Sequence, residues 1–158
     1  EYDTKDKTFW KRKGNDMKVL LGAVNAKYIH SNLAVFNLKA CAKEYDSNVV
    51  LREYTINQQK DDILKDIYRC HPDVICISCY IWNIAYVKEL IEELKKLCPN
   101  TPIWVGGPEV SYEVETLLAE NPGIDGVFIG EGVMHILRQW RNMRRWQIIA
   151  EQRDLRHL

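Results

Sequence analysis

Four short segments of this 158-residue chain hold the residue types that could do chemistry. The first is Asn25-Ala26-Lys27-Tyr28-Ile29-His30-Ser31-Asn32, a polar stretch with one histidine. The second is Ser78-Cys79-Tyr80-Ile81-Trp82-Asn83. The third is Gly106-Gly107-Pro108-Glu109, and the fourth is Gly130-Glu131-Gly132. His30 has the side chain of a metal ligand, a general base or a solvent-bonded loop residue. No second histidine or carboxylate stands at metal-ligand spacing beside it, so no metal site is expected. Ser78 can donate to a ligand or bond the backbone. Tyr80 and Trp82 can form a flat apolar wall or pack internally. Gly106 and Gly107 suit a turn at positive φ, or close approach of a ligand to the backbone.

Other chemistries lack their residues. Cys76 and Cys79 have the spacing of a redox or zinc pair, but residues three apart in a strand point to opposite faces. Buried structural thiols are the expectation there. Gly130-Glu131-Gly132 is not a dinucleotide fingerprint, and neither a GxxxxGK[ST] phosphate loop nor a GxSxG elbow is present.

The elements that must position these segments follow from periodicity. Continuous apolar runs predict strands at Lys18–Val24, Asn48–Tyr54, Asp73–Cys79, Pro102–Val105 and Gly126–Ile129. Helices are expected between them. Ser31–Glu44 would be capped by Ser31, with Leu33, Phe36 and Ala40 inward. Asp61–Cys70 would turn Ile63, Leu64 and Ile67 inward. Ile84–Leu97 would bury Ile84, Val87, Ile91 and Leu94, and Glu109–Glu120 would follow the fourth strand. A last helix is expected beyond Gly132. Alternation of this kind predicts a flavodoxin-like or Rossmann-like doubly wound, five-stranded parallel sheet with helices on both faces. In such sheets ligands bind beyond the carboxyl ends of the strands, and all four chemical segments fall there.

Composition sets the class. Twenty-two basic and 22 acidic side chains give a formal net charge of zero, which argues against a nucleic-acid partner. There is no apolar run long enough for a membrane span. Five cysteines, several inside apolar patterns, read as reduced thiols of a cytoplasmic protein. Residues 1–16 are expected to be a disordered leader, 17–143 the α/β domain, and 144–158 a basic, helical tail; six arginines lie between Arg138 and Arg156.

Residues 17–132 resemble the cobalamin-binding domain at the amino end of cobalamin-dependent radical SAM proteins, the group that includes the anaerobic magnesium-protoporphyrin monomethyl ester cyclases. The likeness is carried by Lys18-Val-Leu-Leu21, Lys27-Tyr-Ile-His-Ser-Asn-Leu-Ala34 and Asp73-Val-Ile-Cys-Ile-Ser78. It continues through Ile103-Trp-Val-Gly-Gly-Pro-Glu109 and Asp125-Gly-Val-Phe-Ile-Gly-Glu-Gly132. It implies a corrin ring across the strand ends. The nucleotide tail would lie beside Ser78 and the Gly106-Gly107-Pro108 turn, with Tyr80, Trp82 and Asn83 near it. The loop Asn25, Lys27, Tyr28, Ile29 and His30 would face the lower side of the corrin, and Gly130 and Glu131 would complete the rim.

Methionine-synthase-like cobalamin domains use Asp-x-His-x-x-Gly to place a histidine on cobalt. Setting His30 at that histidine puts Tyr28 at the aspartate and Leu33 at the glycine, whereas ungapped alignment puts Ile29 at the histidine. The motif is absent either way. The resemblance therefore implies cobalamin held with its dimethylbenzimidazole off cobalt and no histidine in its place; coordination by His30 is the alternative.

The CxxxCxxC motif for a [4Fe-4S] cluster is missing, so the cluster and S-adenosylmethionine are expected only in a radical SAM domain outside this chain. The chain is then expected to be part of a larger methyltransferase or cyclase-like oxidoreductase and not itself catalytic. The competing expectation is a flavodoxin-like regulatory or interaction module without cofactor. A flavin- or nucleotide-binding domain is weaker, because the phosphate loops are missing.

Overall fold

The computed structural model describes residues 18–26, 32–41 and 47–129. The order is β1 (Val19–Asn25), α1 (Leu33–Cys41), β2 (Val49–Thr55), α2 (Lys60–Cys70), β3 (Val74–Ser78), α3 (Ile84–Leu97), β4 (Ile103–Gly106), a 3-10 turn (Pro108–Val110), α4 (Val114–Glu120) and β5 (Gly126–Phe128). The five strands form one sheet in the order β2-β1-β3-β4-β5, and every pairing is parallel. The expected doubly wound sheet is present, and its strands start within about one residue of the apolar runs.

Both faces of the sheet are covered. Leu20, Val24, Ile75, Ile77, Ile103, Val105 and Val127 alternate along the strands and join the core with Ile63 and Ile67 of α2 and Val87, Leu90, Ile91 and Leu94 of α3. The intervening Val19, Leu21, Ala23, Val74 and Trp104 are buried as well. Two-sided burial is why these strands read as unbroken apolar runs. Trp104 lies over Gly126, where a Cβ would collide with the indole, and stacks on Phe128 with ring centroids 5.2 Å apart.

Helix α3 has the predicted bounds, with Leu90 added to the buried positions and Ile84 only partly buried against the core. Two helical expectations are corrected. In α1 the inward residue is Val35, whereas Leu33 is 73% and Phe36 41% exposed. This helix carries apolar residues nearly all round, so spacing alone does not select its face. The segment Glu109–Glu120 is not one helix. Ser111 Oγ donates to the Gly107 carbonyl at 2.8 Å, and Glu113 takes φ 48°, which ends the 3-10 turn before α4 begins.

At the amino ends of the strands the polar groups serve structure. Lys95 Nζ bonds Asp125 Oδ2 at 2.6 Å, and the same carboxylate oxygen accepts the Ile103 N–H at 2.8 Å. Among the described residues no helix is long and apolar enough to cross a membrane. The expected leader 1–16, the tail 144–158 and the helix beyond Gly132 lie outside the described residues.

Candidate functional site

Parallel register brings the carboxyl ends level. Ala23 pairs with Ser78, Ser78 with Gly106, and Gly106 with Phe128. The chain leaves β1 toward β2 and leaves β3 toward β4, so a crevice opens between β1 and β3 where the winding reverses. Asn25 and Ser78 end these two strands, and Gly106 of β4 pairs with Ser78.

A polar network lines this crevice. Asn32 Nδ2 donates to Ser78 Oγ at 2.9 Å, and Tyr80 O–H donates to Asn32 Oδ1 at 3.3 Å. The same Oδ1 accepts the Ala34 N–H at 3.2 Å, so Asn32 caps α1, the role the sequence assigned to Ser31. Glu53 Oε1 accepts from Asn25 Nδ2 at 3.1 Å and from the Asn32 N–H at 3.0 Å. One carboxylate on β2 thus holds Asn25 and Asn32 together. Lys27, Tyr28, Ile29, His30, Gly130 and Glu131 lie outside the described residues.

Asn83 is wholly buried. Its Nδ2 donates to the carbonyls of Val24 at 2.9 Å and Ser78 at 3.1 Å, and its Oδ1 accepts the Tyr80 N–H at 2.7 Å. It ties β1 to the loop after β3. Gly107 sits at φ 115°, and a Cβ there would strike the Cys79 carbonyl; a Cβ on Gly106 would meet Phe128 Cβ at 3.2 Å. Gly107 is therefore demanded by contact of the chain with itself, whereas the Gly106 contact is with a side chain that small shifts can relieve. Pro108 opens the 3-10 turn that follows.

Above the network the rim is apolar. Tyr80 and Trp82 stack with centroids 4.5 Å apart and planes 8° from parallel, leaving Trp82 about half exposed. Ile81, Tyr112 and Ile129 are more exposed still, and all three follow the carboxyl ends of strands.

Cys76 and Cys79 behave as packed thiols. Burial pushes each up to about 12, with Lys88 opposing and Glu109 reinforcing the effect at Cys79. Cys70, Cys76, Cys79 and Cys98 are free, and no three His, Cys, Asp or Glu residues cluster to hold a metal among the described residues. Cys79 should therefore resist iodoacetamide at pH 8 in the folded chain and react once urea unfolds it, as mass spectrometry will record. Because folding raises its pKa, the stabilisation from its neutral form is complete below about pH 9 and is lost as pH rises through about 12. Rapid labelling of folded chain at pH 8 would contradict this.

Two of these residues escape sequence reasoning. Asn32 is visible only as the end of a polar loop, and Glu53 only as a charge in an edge strand. The one available signal is that asparagine directly precedes a helix.

Fold and crevice together define a doubly wound α/β ligand-binding domain. A family model described as the B12 binding domain matches residues 19–135, and the chain belongs to that family. It is similar to the cobalamin-dependent radical SAM methyltransferase TokK of Streptomyces tokunonensis, with 33% identity over 61 residues, 39% of this chain and 9% of that protein. The 2-(S-pantetheinyl)-carbapenam-3-carboxylate methyltransferase of Streptantibioticus cattleyicolor gives the same identity and coverage. Among solved structures, a cobalamin-binding protein from Desulfitobacterium hafniense DCB-2 superposes with TM-score 0.57 at 15% identity, covering 82% of this chain and 58% of that one. The cobalamin-dependent S-adenosylmethionine radical enzyme OxsB gives TM-score 0.58 at 12% identity, covering 84% and 19%. At such identities the structural likeness speaks for the fold. The 61 matched residues span less than a tenth of the length of the two methyltransferases.

Proposed function

We propose that this domain holds cobalamin across the carboxyl ends of its strands, base-off and without a histidine on cobalt, as the cobalamin module of a radical SAM enzyme. The observation that carries the reading is the pairing of two surfaces at one edge. Exposed Ile81, Trp82, Tyr112 and Ile129 follow the carboxyl ends of β3, β4 and β5, and Asn25, Asn32 and Ser78 belong to a polar network at the ends of β1 and β3. A broad, flat macrocycle with a polar nucleotide tail needs both.

Cobalamin, when bound, supplies a cobalt centre that can carry a methyl group or assist radical chemistry. The residues of this chain bind and orient it. Ser78 and the Gly106-Gly107 turn would border the tail, and the Tyr80–Trp82 stack would shield one side. By the resemblance, Asn25 to His30 would face the lower side of the corrin, and the sequence has no Asp-x-His-x-x-Gly motif that would supply a histidine to cobalt. The radical SAM domain, with its cluster and S-adenosylmethionine, would belong to the rest of the protein. Free thiols fit a reducing cytoplasm.

Titrating the chain with hydroxocobalamin and methylcobalamin while recording absorption spectra tests this. Saturable binding with a base-off spectrum, unchanged by His30→Ala, is expected. A histidine-ligated spectrum abolished by His30→Ala would keep cobalamin and overturn the histidine-off state. No binding, by this chain or by the full-length protein, would favour an interaction module.

A further inference from the structure

We infer that the kink at Glu113 aims Tyr112 at the bound corrinoid, making Tyr112 a further binding residue that meets the macrocycle and not its nucleotide tail. The inference rests on the proposed cobalamin reading and adds to it a residue that no sequence motif singles out.

The chain leaves β4 through Gly107 and is at once tied back to it. The Val110 N–H and Ser111 Oγ both donate to the Gly107 carbonyl, at 3.4 and 2.8 Å. Val110 itself is buried and pegs the turn into the core. Tyr112 directly follows Ser111, so its backbone is held near the carboxyl end of β4. Its side chain is nevertheless 78% exposed, the most of any large apolar or aromatic side chain among the described residues.

The next residue carries strain. Glu113 takes φ 48° and ψ 39°, the left-handed region that a residue with a Cβ enters at a cost. It stands where α4 begins, and its carbonyl accepts the Leu117 N–H at 3.0 Å. Helix starts favour an extended residue whose side chain bonds the first N–H groups, and Glu113 makes no such bond. Its side chain is exposed, so packing does not demand the conformation either. The helix gains nothing here that an ordinary cap would not supply. The kink does turn the chain between the tethered Ser111 and α4, with Tyr112 thrown outward at the bend. Strain without local compensation is a mark of ligand sites.

A tyrosine suits that place. Its ring is flat, wide and governed by two torsions, so contact freezes little freedom. In the proposed reading the Gly106-Gly107 turn borders the tail. Tyr112 comes later in the same connection, where a macrocycle lying across the strand ends would extend.

The competing explanation is an irregular loop with an idle tyrosine. The 158-residue chain, Tyr112→Ala and Tyr112→Phe are titrated with cobalamin and with cobinamide, the same corrin without the nucleotide. Tyr112→Ala is expected to weaken both ligands about tenfold, the loss of one aromatic contact, and to shift the melting temperature by less than about 2 °C. Tyr112→Phe keeps the ring and should bind within about twofold of the unsubstituted chain. Glu113→Gly enters the left-handed region without penalty and should raise the melting temperature by about 3 °C. Tetranitromethane tests the contact without any substitution. Cobinamide should protect Tyr112 from nitration and leave Tyr68, 49% exposed on α2, as reactive as before.

Unchanged affinity in Tyr112→Ala, a loss confined to cobalamin, or an equal loss in Tyr112→Phe would overturn the inference. So would a melting temperature that does not rise in Glu113→Gly. If Tyr112→Ala does not fold, nitration decides, and a Tyr112 that cobinamide leaves unprotected overturns the inference alone. Binding of neither corrinoid by the unsubstituted chain would remove the cobalamin reading, and this inference with it.

Discussion

Asn83→Asp is expected to cost about 3–5 kcal/mol of folding stability at neutral pH, from two broken backbone contacts and a buried charge. The wild-type amide donates to the Val24 and Ser78 carbonyls and accepts the Tyr80 N–H. An aspartate retains the acceptor but sets a second carboxylate oxygen against two carbonyl oxygens, with no water to relieve the contact. Burial and the facing carbonyls both favour the protonated form, so folding raises the pKa of the introduced carboxyl. The sign follows: stability is greatest at low pH, where the acid can donate to one carbonyl, and falls as pH rises through the raised folded value. Urea titrations of Asn83→Asp and the unsubstituted chain at pH 5 and pH 7 should therefore show the larger deficit at pH 7. An equal deficit at both would mean that the carboxylate finds water, and that the stitch between β1 and β3 is looser than its geometry implies.

Gly107→Ala should cost about 2–4 kcal/mol and lower the melting temperature by roughly 10 °C. Two causes add. The backbone at φ 115° and ψ 173° is a region that L side chains scarcely enter. The new methyl would also point into the Cys79 carbonyl, and that peptide is held in place by the Cys79 N–H, which donates to the Gly106 carbonyl at 2.6 Å. Backbone cannot swing aside as a flexible side chain does. Gly106→Ala offers the contrast, because its methyl would meet the Phe128 side chain at 3.2 Å, a contact that small shifts relieve. Calorimetry on both variants should rank Gly107→Ala well below Gly106→Ala. Similar melting temperatures would show that the loops after β3 and β4 can part. The Gly107 change should also weaken cobalamin binding, since it displaces the peptide next to Ser78.

The sequence made the strands and α3 readable because each is declared locally. Five apolar runs mark the strands, and α3 has a strong helical period ended by Pro99. The face of α1 was not readable, because Val35 competes with Leu33 and Phe36 in a helix that is apolar nearly all round. The break at Ser111-Tyr112-Glu113 was hidden by helix-forming residues on either side. At the site, Ser78 and Gly107 stood out by type and position. The network around Ser78 did not, since Asn32 meets it from 46 residues away and Glu53 reaches Asn32 from the next strand. Such contacts need the register of three parallel strands before they exist on paper. Asn83 was placed near the ligand by its loop position, and the fold instead commits its side chain to the backbone beneath the rim.

The stitch made by Asn83 separates the part of the molecule that holds shape from the part free to vary. It joins Val24 to Ser78 at the ends of β1 and β3, before residues 80–82, so the spacing of the two strands does not depend on which side chains those residues carry. Sequences grafted above that point inherit a slit of constant width. A scaffold arranged this way is a natural acceptor for loop exchange, and libraries that randomise residues 80–82 while keeping Asn83 should stay folded far more often than libraries that randomise Asn83 as well.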